Sequence, residues 1–155
     1  GTYPLPEAQT DRFLLKIKVD YPTLDDEMKI VDLYTAPASR TTVKKQIDAN
    51  ALQVVQQWTR QMPIANDLKK RVLKIIQITR TNKELIEYGA SPRASIGLIL
   101  AAKAHALLSG RNHVSKEDIE AMAYPVLRHR IILNFEAERK GMSTDDAIQE
   151  ILKKA

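Results

Sequence analysis

Cysteine is absent from this 155-residue sequence, and aromatic residues make up only 5% of it. The lack of cysteine excludes disulfide bonds and thiolate chemistry, which fits a cytoplasmic protein. No apolar run approaches the length of a membrane span, and no signal-peptide pattern is present. We therefore expect a cytoplasmic location and no membrane-spanning segment.

The sequence also lacks a complete set of catalytic residues. None of its five glycines is followed by lysine, so the Gly-x-x-x-x-Gly-Lys-[Ser/Thr] loop that cradles ATP phosphates is missing. The three histidines, His105, His113 and His129, are not at metal-ligand spacing, and no cysteine joins them. The chain is predicted to hold no metal site and no complete active site.

Hydrophobic residues, at 44%, are numerous enough for the core of one folded domain. The net charge of +5 permits binding to polyanions, but 19 acidic residues are interleaved with 24 basic ones. A mixed solvated surface is the favoured interpretation. The first residue is Gly and not Met, and the opening residues look like mid-domain sequence, so we expect a fragment of a longer chain.

The first 22 residues combine a short helix with a strand pattern. Pro6 is suited to opening a helix that runs to about Asp11. Over residues 13–19 apolar side chains alternate with lysines, which predicts a strand. A lone strand needs a sheet that the rest of the chain does not supply. Residues 1–22 are therefore predicted to be the edge of a larger domain.

Capping residues and helical spacing predict a series of helices after this edge. The predicted helices cover residues 23–34, 48–61 and 64–79, continue from 92 to 109, and begin again at 115 and at 143, with loops at 36–42 and 81–90. Leu52, Val55 and Trp58 are the candidate packing residues of the second helix, and Pro125 should distort or shorten the fifth. The helix from Pro92 is apolar on most of its surface and is predicted to be the central one.

The start of that central helix contains an unexpected cation. Ser91 is a good N-cap and Pro92 suits the first helical position, but Arg93 lies where the helix end is already partly positive. A phosphate at this helix end would explain the arginine. Local grounds favour the alternative, in which Arg93 reaches solvent or pairs with Glu84 or Glu87.

Several segments resemble one family, in the right order along most of the chain. Residues 1–14 (GTYPLPEAQTDRFL) resemble the end of the ATPase core of MoxR-type AAA+ ATPases, and residues 89–94 (GASPRA) resemble their sensor 2 motif. Residues 110–118 (GRNHVSKED) and 126–130 (VLRHR) resemble other parts of the lid domain. Thr10 departs from the family, which more often has an aliphatic residue there.

The resemblance implies a mainly α fold. A helical-bundle AAA+ lid domain would occupy residues 23–155, preceded over residues 1–22 by a short helix–strand remnant of the α/β core. The phosphate-binding loop and the acidic Mg²⁺-binding motif would lie upstream, so the chain alone should not hydrolyse ATP.

The resemblance also implies roles for particular residues. Arg93 would be the sensor 2 arginine, in a nucleotide-binding motif with Ser91, Pro92 and Ala94, and would touch the γ-phosphate of ATP bound between core and lid. Arg12 would be the arginine finger that reaches the ATP site of the neighbouring subunit. The alternative for Arg12 is a pair with Asp11 or another surface acid.

The implied whole is a ring oligomer, often a hexamer, that uses ATP and Mg²⁺ to remodel or mature client proteins, typically with partners that contain von Willebrand factor type A domains. Arg128-His129-Arg130 lies either at a subunit boundary or at a solvated helix end. A second hypothesis is a self-contained basic module that binds nucleic acid through the cations of residues 69–80, although no RNA-binding signature accompanies them.

Overall fold

The structure, a computed structural model, describes residues 3, 5–36 and 43–155. Within them the chain is mainly helical, as predicted. The helices are α1 (Glu7–Thr10), α2 (Leu24–Thr35), α3 (Ala49–Gln61), α4 (Asn66–Thr81), α5 (Pro92–Leu108), α6 (Lys116–Leu127), α7 (Phe135–Arg139) and α8 (Thr144–Lys154). Strands β1 (Ile86–Tyr88) and β2 (Ile132–Leu133) pair antiparallel, with Ile86 opposite Leu133.

Helix α5 is the centre of the bundle, as its composition predicts. It contacts α3, α4 and α6, and its small residues let these neighbours approach closely. Its buried positions are Ala94, Gly97, Leu98, Ala101, Ala102 and Ala106. The helix ends before Gly110, whose φ of +71° supplies the left-handed conformation that commonly terminates helices.

The core is completed by one face of each neighbouring helix. Apolar residues recur at helical spacing on these faces, and their burial is the main favourable contribution to folding. They include Val72, Ile75 and Ile76 of α4, Ile119, Val126 and Leu127 of α6, and Ile148 and Ile151 of α8.

Helix starts follow the predicted caps. Thr23, Asp48 and Ser91 each accept a backbone N–H at the start of α2, α3 and α5. Ser115 and Ser143 form capping boxes, with Asp118 and Asp146 respectively, at the start of α6 and α8. Helix α6 continues through Pro125 and ends two residues later.

The strand predicted over residues 13–19 does not form. The described part of the chain provides no strand beside it, and its backbone instead meets α6, where the Lys16 N–H donates to the Pro125 carbonyl at 2.7 Å. The physical reason is that a strand needs a neighbouring strand to pair its backbone N–H and C=O groups, and the sequence offers none. The short β1–β2 pair and α7 were not predicted.

The packing role predicted for α3 is wrong at two of three positions. Leu52 is 47% exposed and Trp58 56% exposed, while Val55 is half-buried. Helix α3 contacts α5, but none of its residues is fully buried, and the same is true of α2. The predicted loop at 36–42 lies, apart from Ala36, outside the described residues. No helix in the described ranges is long and apolar enough to cross a membrane.

Candidate functional site

Two separate parts of the chain, the start of α5 and the residues after α6, converge on the carboxylate of Asp11, the residue that follows α1. The Ser91 hydroxyl donates to its two oxygens at 3.0 and 2.9 Å. Arg93 Nη1 lies 3.2 Å from Oδ2, and Arg130 Nε lies 3.1 Å from Oδ1. Asp11 therefore joins the N-terminal segment to the start of α5 and to the residues that follow α6.

The convergence keeps Asp11 ionised. Burial acts to raise the pKa of the Asp11 carboxyl, but hydrogen bonds from Ser91, Arg93 and Arg130 outweigh burial and lower the pKa below its ordinary value. Since Arg130 is buried and Arg93 is not, the carboxylate compensates one cation in the interior and one at the surface.

Arg93 pairs with Asp11 and not with the glutamates considered from the sequence. Its side chain remains 63% exposed, so much of the guanidinium faces solvent. Of its predicted partners in binding nucleotide, Pro92 is exposed, Ser91 is half-buried, and Ala94 is buried in the core.

Arg12 is exposed, and it does not take up the Asp11 carboxylate that precedes it. The cationic partners of Asp11 are Arg93 and Arg130 instead. In residues 5–36 and 43–155 no ion pair of Arg12 is present, so its guanidinium is free of the competitor proposed from the sequence.

The loop that presents Ser91 and Arg93 is held tightly by the end of α4. A β-carbon at Gly89 would lie 2.4 Å from the Thr79 carbonyl oxygen, so the two backbones are in close contact. The Ala90 N–H donates to the Thr79 hydroxyl at 3.0 Å, and Arg80 Nε donates to the Ala90 carbonyl at 2.8 Å. Beside the loop lies a small cavity of about 190 Å³ lined in part by Asp11 and Ser91.

The three residues after α6 contact the N-terminal segment and, through Arg128, helix α8. His129 Nε2 lies 2.8 Å from the Phe13 carbonyl, and burial lowers the pKa of His129. Arg128 forms a two-pronged pair with Asp145 at 2.6 and 2.9 Å, which raises the pKa of Arg128. Arg130 is buried, so the solvated helix end considered from the sequence is wrong for this residue.

The AAA lid domain family matches residues 78–151 of the chain. Chaperone MoxR1 of Mycobacterium tuberculosis is 34% identical over 160 residues, which cover 98% of this chain and 42% of MoxR1. The chain belongs to the MoxR-type AAA+ ATPases. The resemblance drawn from its motifs is thereby confirmed.

Two further proteins are similar to this chain over nearly its whole length. The uncharacterized protein YeaC of Bacillus subtilis is 35% identical over 152 residues, which cover 98% of this chain and 47% of YeaC. A crystal structure of a candidate ATPase from Cytophaga hutchinsonii superposes with a TM-score of 0.92 at 38% identity, covering all of this chain and 49% of that one. The MoxR-type chain thus spans about half the length of the relatives it matches.

Two residues of this candidate site were not predicted from the sequence. Asp11 entered only as a possible partner of Arg12, and Arg130 only as part of a basic cluster. Their contact joins positions 119 residues apart, and no local pattern predicts such a pair. The only indication in the sequence was the family resemblance of residues 1–14 and 126–130, because each of these motifs contains one of the two residues.

The basic surface of α4 is less available to a polyanion than its sequence suggests. Arg71 donates to the Leu152 and Ala155 carbonyls and to Glu120, the last at 3.0 Å. Arg80 is occupied by the Ala90 carbonyl. These contacts give two of the cations structural partners, which weakens the nucleic-acid hypothesis.

The exposed cations of the site suit an anion such as phosphate. Arg12 and Arg93 are both exposed; Arg93 binds the Asp11 carboxylate, and Arg12 is the next residue after Asp11. Guanidinium groups bind phosphate oxygens well. In the ranges that the structure describes, no three His, Cys, Asp or Glu side chains are grouped to hold a metal ion.

Proposed function

We propose that this chain provides the lid, over residues 23–155, and the adjoining edge of the core, over residues 1–22, of an enzyme that hydrolyses ATP with Mg²⁺. Its contribution is two arginines that act on the terminal phosphate, with Arg93 as the sensor 2 residue and Arg12 as the arginine finger. The observation that carries the proposal is the Asp11 carboxylate, which binds Arg93 and directly precedes Arg12.

The role of both cations is electrostatic. Charge on the transferring phosphoryl group is spread over its oxygens, and an arginine placed there increases the rate by about a thousandfold or more. Ser91 caps α5, Pro92 and Ala94 belong to its first turn, and the partly positive end of a helix favours an anion beside it. When ATP is bound, its phosphate competes with Asp11 for the Arg93 guanidinium.

The shared carboxylate favours one nucleotide for both arginines. A finger acts on the ATP of the neighbouring subunit, and Arg93 is tied to the residue beside the finger. We therefore place Arg93 near the same phosphate as Arg12, across the subunit boundary. This departs from the expectation that Arg93 contacts ATP held between the core and lid of its own subunit.

The proposed assembly is a ring, with six subunits as the first expectation, in the cytoplasm. ATP hydrolysis in the ring would drive remodelling or maturation of client proteins, with partners that contain von Willebrand factor type A domains. Support comes from the family and from the name of MoxR1, which is called a chaperone. The phosphate-binding loop and the Mg²⁺ ligands belong to the part of the ATPase that this chain does not contain.

Mixed rings of the full-length ATPase test the proposal. Arg12→Ala subunits alone should lose about a thousandfold in hydrolysis rate, since the finger is missing at every boundary. Mixed with subunits that keep Arg12 but carry a disabled phosphate-binding loop, they should regain activity, because their own nucleotide sites are intact. Arg139→Ala, at another exposed arginine, is the matched control and should keep full activity. No regain on mixing would rule out a role across the boundary.

The chain by itself offers a second test. Purified and supplied with ATP and Mg²⁺, it should show no sustained turnover, because its sequence lacks the Gly-x-x-x-x-Gly-Lys-[Ser/Thr] loop that cradles ATP phosphates. Sustained turnover that copurifies with the chain would contradict the proposed division of the active site.

A further inference from the structure

Arg130 is the most deeply buried cation near the proposed finger. Its side chain is 3% exposed, and its guanidinium makes five hydrogen bonds. A guanidinium has five N–H donors in a rigid planar fork, so the donor capacity of Arg130 is fully used. Burial lowers the pKa of Arg130, and the pair with Asp11 opposes that effect.

Four of the five acceptors belong to residues 11–14. Nε and Nη2 bind the Asp11 carboxylate and the Asp11 carbonyl, each at 3.1 Å. Nη2 also binds the Phe13 carbonyl at 2.5 Å, and Nη1 binds the Leu14 carbonyl at 3.1 Å. These acceptors lie on both sides of Arg12, so the planar fork fixes the backbone from which the Arg12 side chain extends.

The fifth acceptor ties the arrangement to the bundle. Nη1 donates to the Val126 carbonyl at 2.5 Å, in the last turn of α6. The same segment is held from α5, where the absence of a side chain at Gly97 leaves room for Leu14, with 3.3 Å between Leu14 Cδ1 and the place a β-carbon would take. Arg130 thus connects residues 11–14 to the last turn of α6.

We propose that Arg130 is a positioning residue for Arg12, holding the finger in the direction that reaches the neighbouring subunit. The proposal rests on the proposed function of Arg12. Through Asp11, the same contacts connect the segment that carries Arg12 to Arg93. The competing explanation is that Arg130 only stabilises the fold.

Tryptic cleavage after Arg12 measures the positioning directly on this chain. Arg130→Lys keeps the charge but removes the planar guanidinium, so several charged hydrogen bonds to residues 11–14 are lost. The Arg12–Phe13 peptide bond should then become accessible to trypsin more often, and its cleavage should be faster by about tenfold or more. Arg71→Lys is the matched control, because Arg71 also donates to two carbonyls and a carboxylate, none of which belongs to residues 11–14. It should leave that cleavage rate unchanged.

Gly97→Ala provides a second variant in case Arg130→Lys fails to fold. The added β-carbon would lie 3.3 Å from Leu14 Cδ1, so the Leu14 side chain must shift although no charge changes, and cleavage after Arg12 should again be faster than in the wild type. An unchanged cleavage rate in the folded variant would overturn the proposed positioning.

Mixed rings separate positioning from general stability. Full-length Arg130→Lys subunits should be inactive alone and regain activity when mixed with loop-disabled subunits that keep Arg12 and Arg130, as Arg12→Ala subunits should. Regain for Arg12→Ala but not for Arg130→Lys overturns this inference and leaves the proposed function standing. If neither variant regains hydrolysis activity in mixed rings, the proposed function itself is overturned, and with it the role of Arg130.

Discussion

Asp11 Oδ2 lies 3.2 Å from Nη1 of Arg93, although 82 residues separate the two in sequence. The pair resolves the electrostatic conflict at the start of α5, where a cation meets a partly positive helix end. Asp11 also pairs with Arg130, so its single charge is shared between two guanidiniums. Arg93 is therefore only partly neutralised, which leaves it suited to a phosphate.

Arg93→Ala in the full-length ATPase should impair hydrolysis far more than folding. The side chain is 63% exposed, and an exposed ion pair contributes about 0–1 kcal/mol to stability. Its loss at a developing phosphate charge is expected to reduce the rate by about a hundredfold or more. The thermal midpoint and the steady-state rate, measured on the same preparation, compare the two effects. A collapse of the midpoint would show that Arg93 is structural instead.

Asp118→Asn should flatten the acid limb of the stability curve. Asp118 is fully buried at the start of α6, where it meets His105, Arg111 and Ser115. Burial acts to raise the pKa of Asp118, but hydrogen bonds from Ser115 and His105 and the charge of Arg111 outweigh burial, and the pKa is lowered from its ordinary 3.8.

A folded-state pKa below the unfolded one means that the unfolded chain binds more protons as the pH falls. The stabilisation from Asp118 is therefore complete above about pH 4 and is lost as the pH drops through the folded-state pKa. Urea unfolding between pH 2 and pH 6 measures this slope. Asp145→Asn, at a carboxylate that is partly exposed, is the control. An unchanged slope in Asp118→Asn would contradict the assignment.

The features that could be predicted from the sequence depend on residues close to one another along the chain. The capping boxes at Ser115 and Ser143 fixed two helix starts, and the small residues of α5 predicted its central place. The three-residue β1 and two-residue β2 are too short for any pattern to show. Trp58 has the chemistry of a core residue, and its exposure depends on which elements are present to cover it.

The candidate site divides in the same way. Arg12 and Arg93 were found from motifs and from the misfit of a cation at a helix start, and both roles remain predictions. Asp11 and Arg130 act through a contact across 119 residues, and such contacts depend on how the whole chain folds. The strand predicted over residues 13–19 failed for the same reason, because pairing depends on a sheet outside the local sequence.

Gly89→Ala should destabilise the chain more than Gly110→Ala. At Gly89 the new β-carbon would lie 2.4 Å from a backbone oxygen and 2.7 Å from the α-carbon of Arg80, neither of which can rotate away. Such overpacking costs about 1–3 kcal/mol or more. At Gly110 nothing lies within 4 Å, and the φ of +71° alone costs about 1–2 kcal/mol. Equal midpoints in chemical denaturation would refute the tight contact between this loop and α4.

The two ion pairs of Asp11 should differ in strength, and double-mutant cycles can measure each. The pair with Arg130 is nearly closed to solvent, with side chains 16% and 3% exposed, whereas Arg93 is 63% exposed. Breaking a buried pair costs about 3–5 kcal/mol, while an exposed pair contributes about 0–1 kcal/mol. The cycle of Asp11→Asn with Arg130→Met should therefore give a larger coupling energy than the cycle with Arg93→Met.

Both cycles share one partner and one type of substitution, so the difference between them reports on solvent exposure and geometry. A difference of about 2 kcal/mol in coupling energy is expected. It would mean that Asp11 stays bound to Arg130 while Arg93 exchanges its carboxylate for a phosphate at little cost. Equal couplings would mean that Arg93 is held as firmly as Arg130, and a phosphate would then have to displace a strong internal partner.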